Sequence, residues 1–207
     1  MKQPAIPSKR SVGRPRAFDR EQALGIALGL FWRHGFDGTS IPQLTAAMGI
    51  SPPSLYAAFG SKDALYREAV KLYLTRYSGF MKSLFDDKLS ARDAVEHALL
   101  AAAKQFSEPG HAPGCMISSA ELQTSPGNQK LADEIASFRL AAQQVVYTRL
   151  EAARNSGELP RITDTASLAA FYAMISQGMS VQARDGAKAA VLKRLVKLAM
   201  QAWPHSN

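Results

Sequence analysis

The sequence predicts an all-α fold, and three observations lead to this prediction. Apolar residues recur three and four positions apart through most of the chain, which is the spacing of a single helix face. Glycine and proline stand between these periodic segments, as they do in turns that connect helices. No stretch alternates polar and apolar residues with the period of a strand. We therefore expect about nine helices, arranged as a small N-terminal head joined to a larger C-terminal helical bundle.

The head begins with two helices that have clear start and stop signals. Asp19 can cap the first helix, and Gln22 stands where it would complete a capping box. Ser40 and Gln43 repeat this pattern at the start of the second helix. A glycine follows each helix, and glycine readily adopts the left-handed backbone that ends a helix. Gly49 stops the second helix after about two turns.

The third helix is predicted to have an outer face of small side chains that would let it approach a partner closely. Ser51 can cap it, and two prolines occupy its first two positions, where a backbone N–H has no partner within the helix. Leu55 and Phe59 are four residues apart and face inward, which leaves small and polar side chains outside. Two short helices joined by a glycine turn match a helix-turn-helix. The sequence therefore predicts a three-helix head of that kind.

A fourth helix starts directly after the head. Ser61 can cap it, and Lys62 lies in its first turn. An ammonium group beside the positive end of a helix dipole is well placed to hold a phosphate. The alternative is that Lys62 is an ordinary solvated surface charge.

The charge distribution indicates a polyanionic partner. The formal net charge is +8 and the pI is about 9.7, although charge alone does not distinguish nucleic acid from a membrane surface. Residues 1–16 contain five basic residues, three prolines and no acid, which predicts a flexible basic arm over residues 1–18. Within it, Arg14 and Arg16 suit a narrow minor groove. A solvated tail that only aids solubility is the alternative.

What the sequence lacks disfavours several classes of protein. It has no apolar stretch of about 18 residues that would span a bilayer and no signal-peptide core, so we expect a cytoplasmic protein. Its single cysteine excludes a disulfide framework and a multi-cysteine metal site. It has no glycine-rich phosphate loop, no nucleophile elbow and no His-Glu metal motif. We therefore expect no enzyme activity, no cofactor and no metal.

The N-terminal quarter of the chain carries a family resemblance. Its most specific runs are GFDGTSI at 35–41, MGIS at 48–51 and LYAAFGSKDAL at 55–65. Through these runs the sequence resembles the TetR (tetracycline-repressor) family of bacterial transcription regulators. The resemblance implies a DNA-binding domain over residues 19–65 and a ligand-binding and dimerisation domain over residues 66–207. The family often has a histidine after the tyrosine of its third helix, where this chain has Ala57.

The motifs and the resemblance together give a set of expected DNA contacts. We expect Arg14 and Arg16 at the minor groove or backbone, Thr39, Ser40, Gln43 and Lys62 at phosphates, and Ser51, Pro53, Ser54, Tyr56 and Ala57 at the major groove. For Tyr56 the alternative is a ring packed against the fourth helix.

The body is predicted to contain six further helices, at about residues 61–85, 90–106, 115–123, 126–157, 164–183 and 187–203. The eighth helix has a face of small residues, namely Ala169, Ala173, Ser176, Ser180 and Ala183. Pairing this face and the last helix with a symmetry mate would give a four-helix homodimer interface. Such a dimer would place two third helices in successive major grooves, about 34–36 Å apart, on a palindromic operator. Ordinary intramolecular packing is the alternative.

Ten residues of the body are candidates for a ligand pocket because they are aromatic, apolar or weakly polar. They are Phe80, Met81, Phe106, Met116, Ile117, Phe138, Tyr147, Phe171, Met174 and Gln177. None of them is charged, which favours an apolar or weakly polar small-molecule effector. The alternative for each is ordinary core packing, since helical spacing alone does not identify a cavity.

Cys115 admits two interpretations. It lies near His111 at the expected start of the sixth helix, where a helix N-terminus and a cation would lower a thiol pKa and favour an oxidant- or electrophile-sensing role. A small buried hydrophobe is the commoner outcome for a free cysteine.

The prediction from the sequence is a dimeric, ligand-responsive regulator that a small molecule releases from its operator. Two alternatives stay open. One is a helical module that binds a metabolite or protein and has only nonspecific affinity for nucleic acid. The other is a thiol switch at Cys115. The sequence does not distinguish a repressor from an activator.

Overall fold

The computed structural model describes residues 19–120 and 125–204, and in these residues the fold is all-α, as predicted. The helices are α1 (Arg20–His34), α2 (Ile41–Met48), α3 (Pro52–Phe59), α4 (Lys62–Tyr77), α5 (Ala91–Phe106), α6 (Met116–Ser119), α7 (Gln129–Ser156), α8 (Thr165–Arg184) and α9 (Ala189–Ala199). Short 3-10 segments occupy Ser78–Phe85, Pro126–Asn128 and Met200–Ala202. The predicted basic arm, with Arg14 and Arg16, lies outside the described residues.

The helices of the head begin and end at the predicted caps. The carboxylate of Asp19 accepts from the backbone N–H of residues 21 and 22, each at 3.0 Å. Ser40 and Gln43 form the predicted capping box at the start of α2. The hydroxyl of Ser51 accepts from the backbone N–H of Ser54 at 3.3 Å. These local bonds fix the short α2 and α3, which would be too short to be stable in isolation.

Four of the helices in the body are shorter than the sequence predicts. The fourth helix stops being α-helical at Tyr77, where a serine and a glycine of low helix propensity follow and the chain tightens into a 3-10 segment. The sixth helix has a single turn. At its end the hydroxyl of Ser119 donates to the carbonyl of Cys115 at 3.0 Å, a local side-chain bond of the kind that competes with regular helix. The seventh and ninth helices likewise have 3-10 segments at the positions predicted to be their ends.

The head and the body share one hydrophobic core. The ring of Phe31 in α1 meets Tyr66 of α4 edge-on, with centroids 5.0 Å apart. Trp32 meets Tyr73 of α4 at 4.9 Å and stacks on His111 at 4.5 Å. The predicted domain boundary at residues 65–66 falls inside α4. This helix therefore belongs to the packing of both parts.

The predicted small-residue face of α8 does not face solvent. Ala169, Ser180 and Ala183 are buried within the chain, and Ala173 and Ser176 line an internal cavity. Small residues allow close approach of the neighbouring helices, so this face serves intramolecular packing against α5, α6 and α7. Its assignment to a dimer interface was wrong. The apolar side chains that α8 and α9 expose lie on another face, namely Met174, Val181, Val191, Leu195 and Leu198.

None of the helices in the described ranges is long and apolar enough to cross a membrane.

Candidate functional sites: an exposed helix face and an internal cavity

The outer face of α3 is exposed, as the sequence predicts. Leu55 and Phe59 are buried beneath it, at 0% and 4% exposure, while the Tyr56 ring is 47% exposed. Six further candidate residues of this region are also exposed, namely Ser40, Gln43, Ser51, Pro53, Ser54 and Ala57. The alternative in which Tyr56 packs against α4 is disfavoured by this exposure. The result is a small, polar helix face with one projecting aromatic ring.

Arg20 holds α3 in place, although it was not among the predicted site residues. Its guanidinium lies 4.5 Å from the centroid of the Phe59 ring and donates to the carbonyl of Ala58 at 3.2 Å. It also donates to both oxygens of the Glu68 carboxylate, at 2.7 and 2.8 Å. Arg20 thereby ties α1, α3 and α4 together. A basic residue is unfavourable at the first position of a helix because of the helix dipole. The presence of Arg20 at the start of α1 was therefore a signal in the sequence that its side chain has a tertiary partner.

Thr39 is not available as a phosphate contact. It has 0% exposure, and its hydroxyl donates to the carbonyl of Gly35 at 2.7 Å. The prediction that Thr39 touches DNA is wrong because its side chain closes the turn between α1 and α2 instead. The side chains of Ser40 and Gln43 also have local partners, since they bond to each other in the capping box.

Lys62 is half-buried at the first turn of α4. Its ammonium group lies 4.2 Å from the centroid of the Phe36 ring, within the range of a cation–π interaction. The side chain is therefore held beside the head and is not a freely solvated surface charge.

Asp37 joins the turn after α1 to the segment before α7. One carboxylate oxygen accepts from the backbone N–H and the hydroxyl of Ser125, at 3.0 and 2.8 Å, and the other accepts from the amide of Asn128 at 2.6 Å. The backbone bond from Ser125 is the main cause that lowers the pKa of Asp37 from its ordinary 3.8, and the charge of Lys62 acts in the same direction.

We expect Asp37→Asn to destabilise the protein at pH 7 and to have less effect in acid. A carboxylate whose pKa is lower in the folded state contributes stability above its unfolded pKa, and this contribution is lost as the pH falls through the folded value. The difference in free energy of unfolding between the two proteins should therefore narrow as the pH falls below 3.8. Denaturant unfolding at pH 7 and at successively lower pH measures it.

Asp87→Asn is the matched control, because the Asp87 side chain is 99% exposed and its ion pair with Arg149 is long, at 3.7 Å. It should change stability little at any pH. A pH-independent effect of Asp37→Asn would contradict the role assigned to the charged carboxylate.

A cavity of about 120 Å³, partly open to solvent, lies in the body between α4, α5, α6, α7, α8 and the 3-10 segment after α4. Five of the ten predicted pocket residues line it, namely Phe80, Met81, Ile117, Phe138 and Gln177. The other five do not. Phe106 and Met116 are buried in the core, Met174 is 60% exposed, and Tyr147 and Phe171 are half-buried elsewhere. Helical periodicity marks an inward face but does not distinguish a cavity wall from close packing.

The cavity also has polar lining residues that were not among the predicted pocket residues. They include Tyr73, Arg139, Gln143 and Tyr172. The presence of Arg139 corrects the expectation of an uncharged pocket. The hydroxyl of Tyr172 is buried and has no hydrogen-bond partner within the part of the chain that the structure describes. Burial raises the pKa of Tyr172 to about 12, so this hydroxyl is a protonated donor at neutral pH.

Cys115 is buried, as expected for a free cysteine, but it also lines the cavity. Its sulfur lies 3.2 Å from the hydroxyl of Tyr73, and its backbone N–H donates to the hydroxyl of Ser180 at 2.7 Å. Burial raises the pKa of Tyr73 above its ordinary 10. The ring of His111 stacks on Trp32. Among residues 19–120 and 125–204, no group of three or more His, Cys, Asp or Glu side chains could hold a metal.

Comparison with known proteins identifies the class to which this fold and helix face belong. Residues 24–69 match the family described as bacterial regulatory proteins, tetR family. The chain is 32% identical over 197 residues to the HTH-type transcriptional repressor ComR of Escherichia coli K12, covering 95% of this chain and 94% of ComR. It is also 32% identical over 177 residues to the repressor BdcR of the same organism, covering 86% and 85% of the two chains.

A solved structure shows the same similarity. A cysteine-substituted variant of the TetR-family transcriptional regulator CifR, complexed with 26-base-pair operator DNA, is 38% identical to this chain. Its TM-score is 0.86, and the match covers 92% of this chain and 100% of that chain. The protein therefore belongs to the TetR family of transcriptional regulators, and its named relatives are regulators, not enzymes.

Proposed function

We propose that the protein is a dimeric, sequence-specific DNA-binding repressor that a small molecule releases from a palindromic operator. The observation that carries this proposal is the exposed face of α3, where Tyr56 projects from a helix whose Leu55 and Phe59 anchor it in the head. A helix supported in this way can enter a major groove. The structure of CifR with operator DNA supports the proposal by similarity. Such a protein would act in the cytoplasm, where the operator is.

The contacts with DNA follow from this placement. Tyr56, Ala57, Ser54, Pro53 and Ser51 would face the base edges, while Ser40, Gln43 and Lys62 would lie towards the phosphates. Arg14 and Arg16 of the arm would add minor-groove or backbone contacts. Because few of the side chains on α3 are long, base-edge recognition would depend strongly on Tyr56 and on close approach of the backbone.

The dimer would form through the exposed apolar side chains of α8 and α9. Met174 and Leu198 are 60% and 62% exposed, and Val181, Val191 and Leu195 are exposed to a lesser extent. An exposed apolar patch on a soluble protein commonly marks an interface. A two-fold axis at this patch would set the spacing of the two α3 helices.

Footprinting of the DNA that flanks the gene, followed by fluorescence anisotropy with the protected sequence, tests the proposal. We expect a protected palindrome and a loss of operator affinity of about fivefold to 150-fold for Tyr56→Ala, since a base contact contributes about 1–3 kcal/mol. Tyr147→Ala is the control, because Tyr147 is a half-buried tyrosine of α7 in the body. Equal affinity for a shuffled duplex would instead favour the alternative of a helical metabolite- or protein-binding module with nonspecific affinity.

A thiol switch is a second candidate because Cys115 lines the cavity beside the Tyr73 hydroxyl. Under this alternative an electrophile or oxidant that enters the cavity modifies the sulfur and releases DNA. Cys115→Ser would then bind the operator normally and no longer respond to the reagent. Release of the serine variant by a reversible ligand alone would favour the primary proposal.

A further inference from the structure

The cavity has two chemically different walls. One wall is apolar and comes from the 3-10 segment after α4 and from α5, with Phe80, Met81, Leu84, Val95 and Leu99. The other comes from α6, α7 and α8, and there hydrogen-bonding groups stand between apolar side chains of the same helices; they are Ser118, Arg139, Gln143, Ser176 and Gln177. No lining residue is an aspartate or glutamate. A ligand that matches these walls has a compact apolar body and one polar end.

Arg139 gives the polar wall its charge. It is half-buried, and one guanidinium nitrogen, Nη1, donates to the carbonyls of Ile117 and Ala120 at 3.0 and 3.1 Å. No carboxylate lies within salt-bridge distance of Arg139 among the residues that the structure describes. Gln143 follows four residues later on the same face of α7 and lines the same cavity. This arrangement favours an anion and disfavours a cation.

Tyr172 provides an independent observation. It is 1% exposed and lines the cavity, and its hydroxyl lacks a partner within the described ranges. A buried hydroxyl without a hydrogen bond is costly, so a ligand oxygen that accepts from it would gain that interaction. The cavity of about 120 Å³ is slightly smaller than a cavity of about 150 Å³ that holds benzene. Because it is partly open to solvent, a single ring with one small polar substituent at the open side is the upper limit for a ligand.

We propose that the cavity binds a monocyclic aromatic carboxylate. The carboxylate would lie against Arg139 and Gln143, the ring would lie against Phe80 and Leu99, and the hydroxyl of Tyr172 would donate to a ligand oxygen. This inference rests on the proposed function, because it names the chemical class of the effector. It follows from the lack of acids and the presence of donors in the lining.

Three isosteric probes test the charge preference. Benzoate, benzamide and benzamidine have the same ring and nearly the same shape, but they are anionic, neutral and cationic. Calorimetric titration of the full chain without DNA should show benzoate binding, benzamide binding about tenfold or more weakly, and no detectable benzamidine binding, because hydrogen bonds to charged groups are the stronger ones. Absence of benzoate binding, or equal binding of benzamide, would overturn the proposal.

Four variants locate the site. Arg139→Gln should abolish the preference for benzoate over benzamide, while Arg139→Lys should retain part of it because the positive charge is kept. Tyr172→Phe removes only the hydroxyl and should weaken benzoate binding severalfold. Arg161→Gln is the charge-matched control, since Arg161 is exposed and does not line the cavity, and it should bind benzoate as the parent does.

The role of Arg139 in holding two carbonyls of the α6 region requires a further variant. Gln143→Leu leaves those bonds in place and should still weaken benzoate binding relative to benzamide. An unchanged benzoate-to-benzamide ratio in a folded Gln143→Leu variant, together with an unchanged benzoate affinity in Tyr172→Phe, would contradict the proposed position of the carboxylate.

The tests of the inference and of the proposed function are separable. Benzoate titration does not involve DNA, so a failure to bind any operator would leave its result intact. Conversely, the protein could bind its operator specifically, be released by another class of molecule and not bind benzoate. That result would contradict only the inference about the ligand class. Addition of benzoate to the operator complex then shows whether the carboxylate acts as an effector.

Discussion

Phe31→Ala should destabilise the protein by about 3–5 kcal/mol, the range for a phenylalanine removed from a core. Phe31 is 1% exposed, meets Tyr66 edge-on and stacks with Phe36 at 6.3 Å. Its loss opens a cavity at the junction between α1 and α4. Because the head and the body share this core, we expect one cooperative unfolding transition at a lower denaturant midpoint.

Far- and near-ultraviolet circular dichroism during denaturant unfolding give the free energy of unfolding and the number of transitions. Operator affinity reports separately whether the head is folded. Phe85→Ala is the control, because Phe85 is 68% exposed and its replacement should change stability by less than about 0.5 kcal/mol. A separate early transition of the head in the Phe31→Ala variant would show that the two parts do not depend on a common core.

Gly114→Ala should lower the free energy of unfolding by about 2–5 kcal/mol, from two separate causes. Gly114 has a φ of +78°, which costs an L-residue about 1–2 kcal/mol. A Cβ at this position would also lie 2.6 Å from the backbone carbonyl oxygen of Ser180, and overpacking of this kind costs about 1–3 kcal/mol. The loop that leads into α6 would have to move away from α8.

Gly110→Ala separates the two contributions. Gly110 has a φ of +105°, but a Cβ there would meet no atom within 4 Å. Its replacement should therefore cost only the backbone strain, about 1–2 kcal/mol. The difference between the variants, measured as the free energy of unfolding, gives the effect of the contact with α8. Equal losses for both would contradict the close packing at Gly114.

The sequence predicted the parts of the fold that depend on local chemistry. The caps at Asp19, Ser40, Ser51 and Ser61 are all present, because each needs only a side-chain oxygen two or three residues before a backbone N–H. The inward positions of Leu55 and Phe59 follow from helical spacing in the same way. The change to 3-10 geometry after Tyr77 was not predicted, although Ser78 and Gly79 are a local signal of it.

The candidate sites were predicted only where exposure follows from one helix. The outer face of α3 is such a case, since its two inward residues determine which side chains remain outside. Thr39 was misassigned because its partner is the carbonyl of Gly35, a bond within a turn of unknown shape. Arg139 and Tyr172 were missed because a cavity is made by several helices, and the periodicity of each helix does not show which faces converge.

The small face of α8 illustrates the same limit. Ala169, Ser180 and Ala183 form a stripe that would suit either an intermolecular or an internal contact. A periodic pattern indicates that a face is covered, but it carries no information about which molecule covers it. Only the arrangement of α5, α6 and α7 around α8 resolves this ambiguity.

The shared helix α4 has a practical consequence for protein engineering. A chimera that joined the head, cut at residue 65, to a different sensor would lack Tyr66 and Tyr73. It would therefore leave their partners Phe31 and Trp32 in α1 uncovered. A fusion point after Tyr77, where the α-helix ends, carries the whole of α4 with the head. The incoming sensor must then supply a surface equivalent to the one that His111 and Cys115 present to this helix.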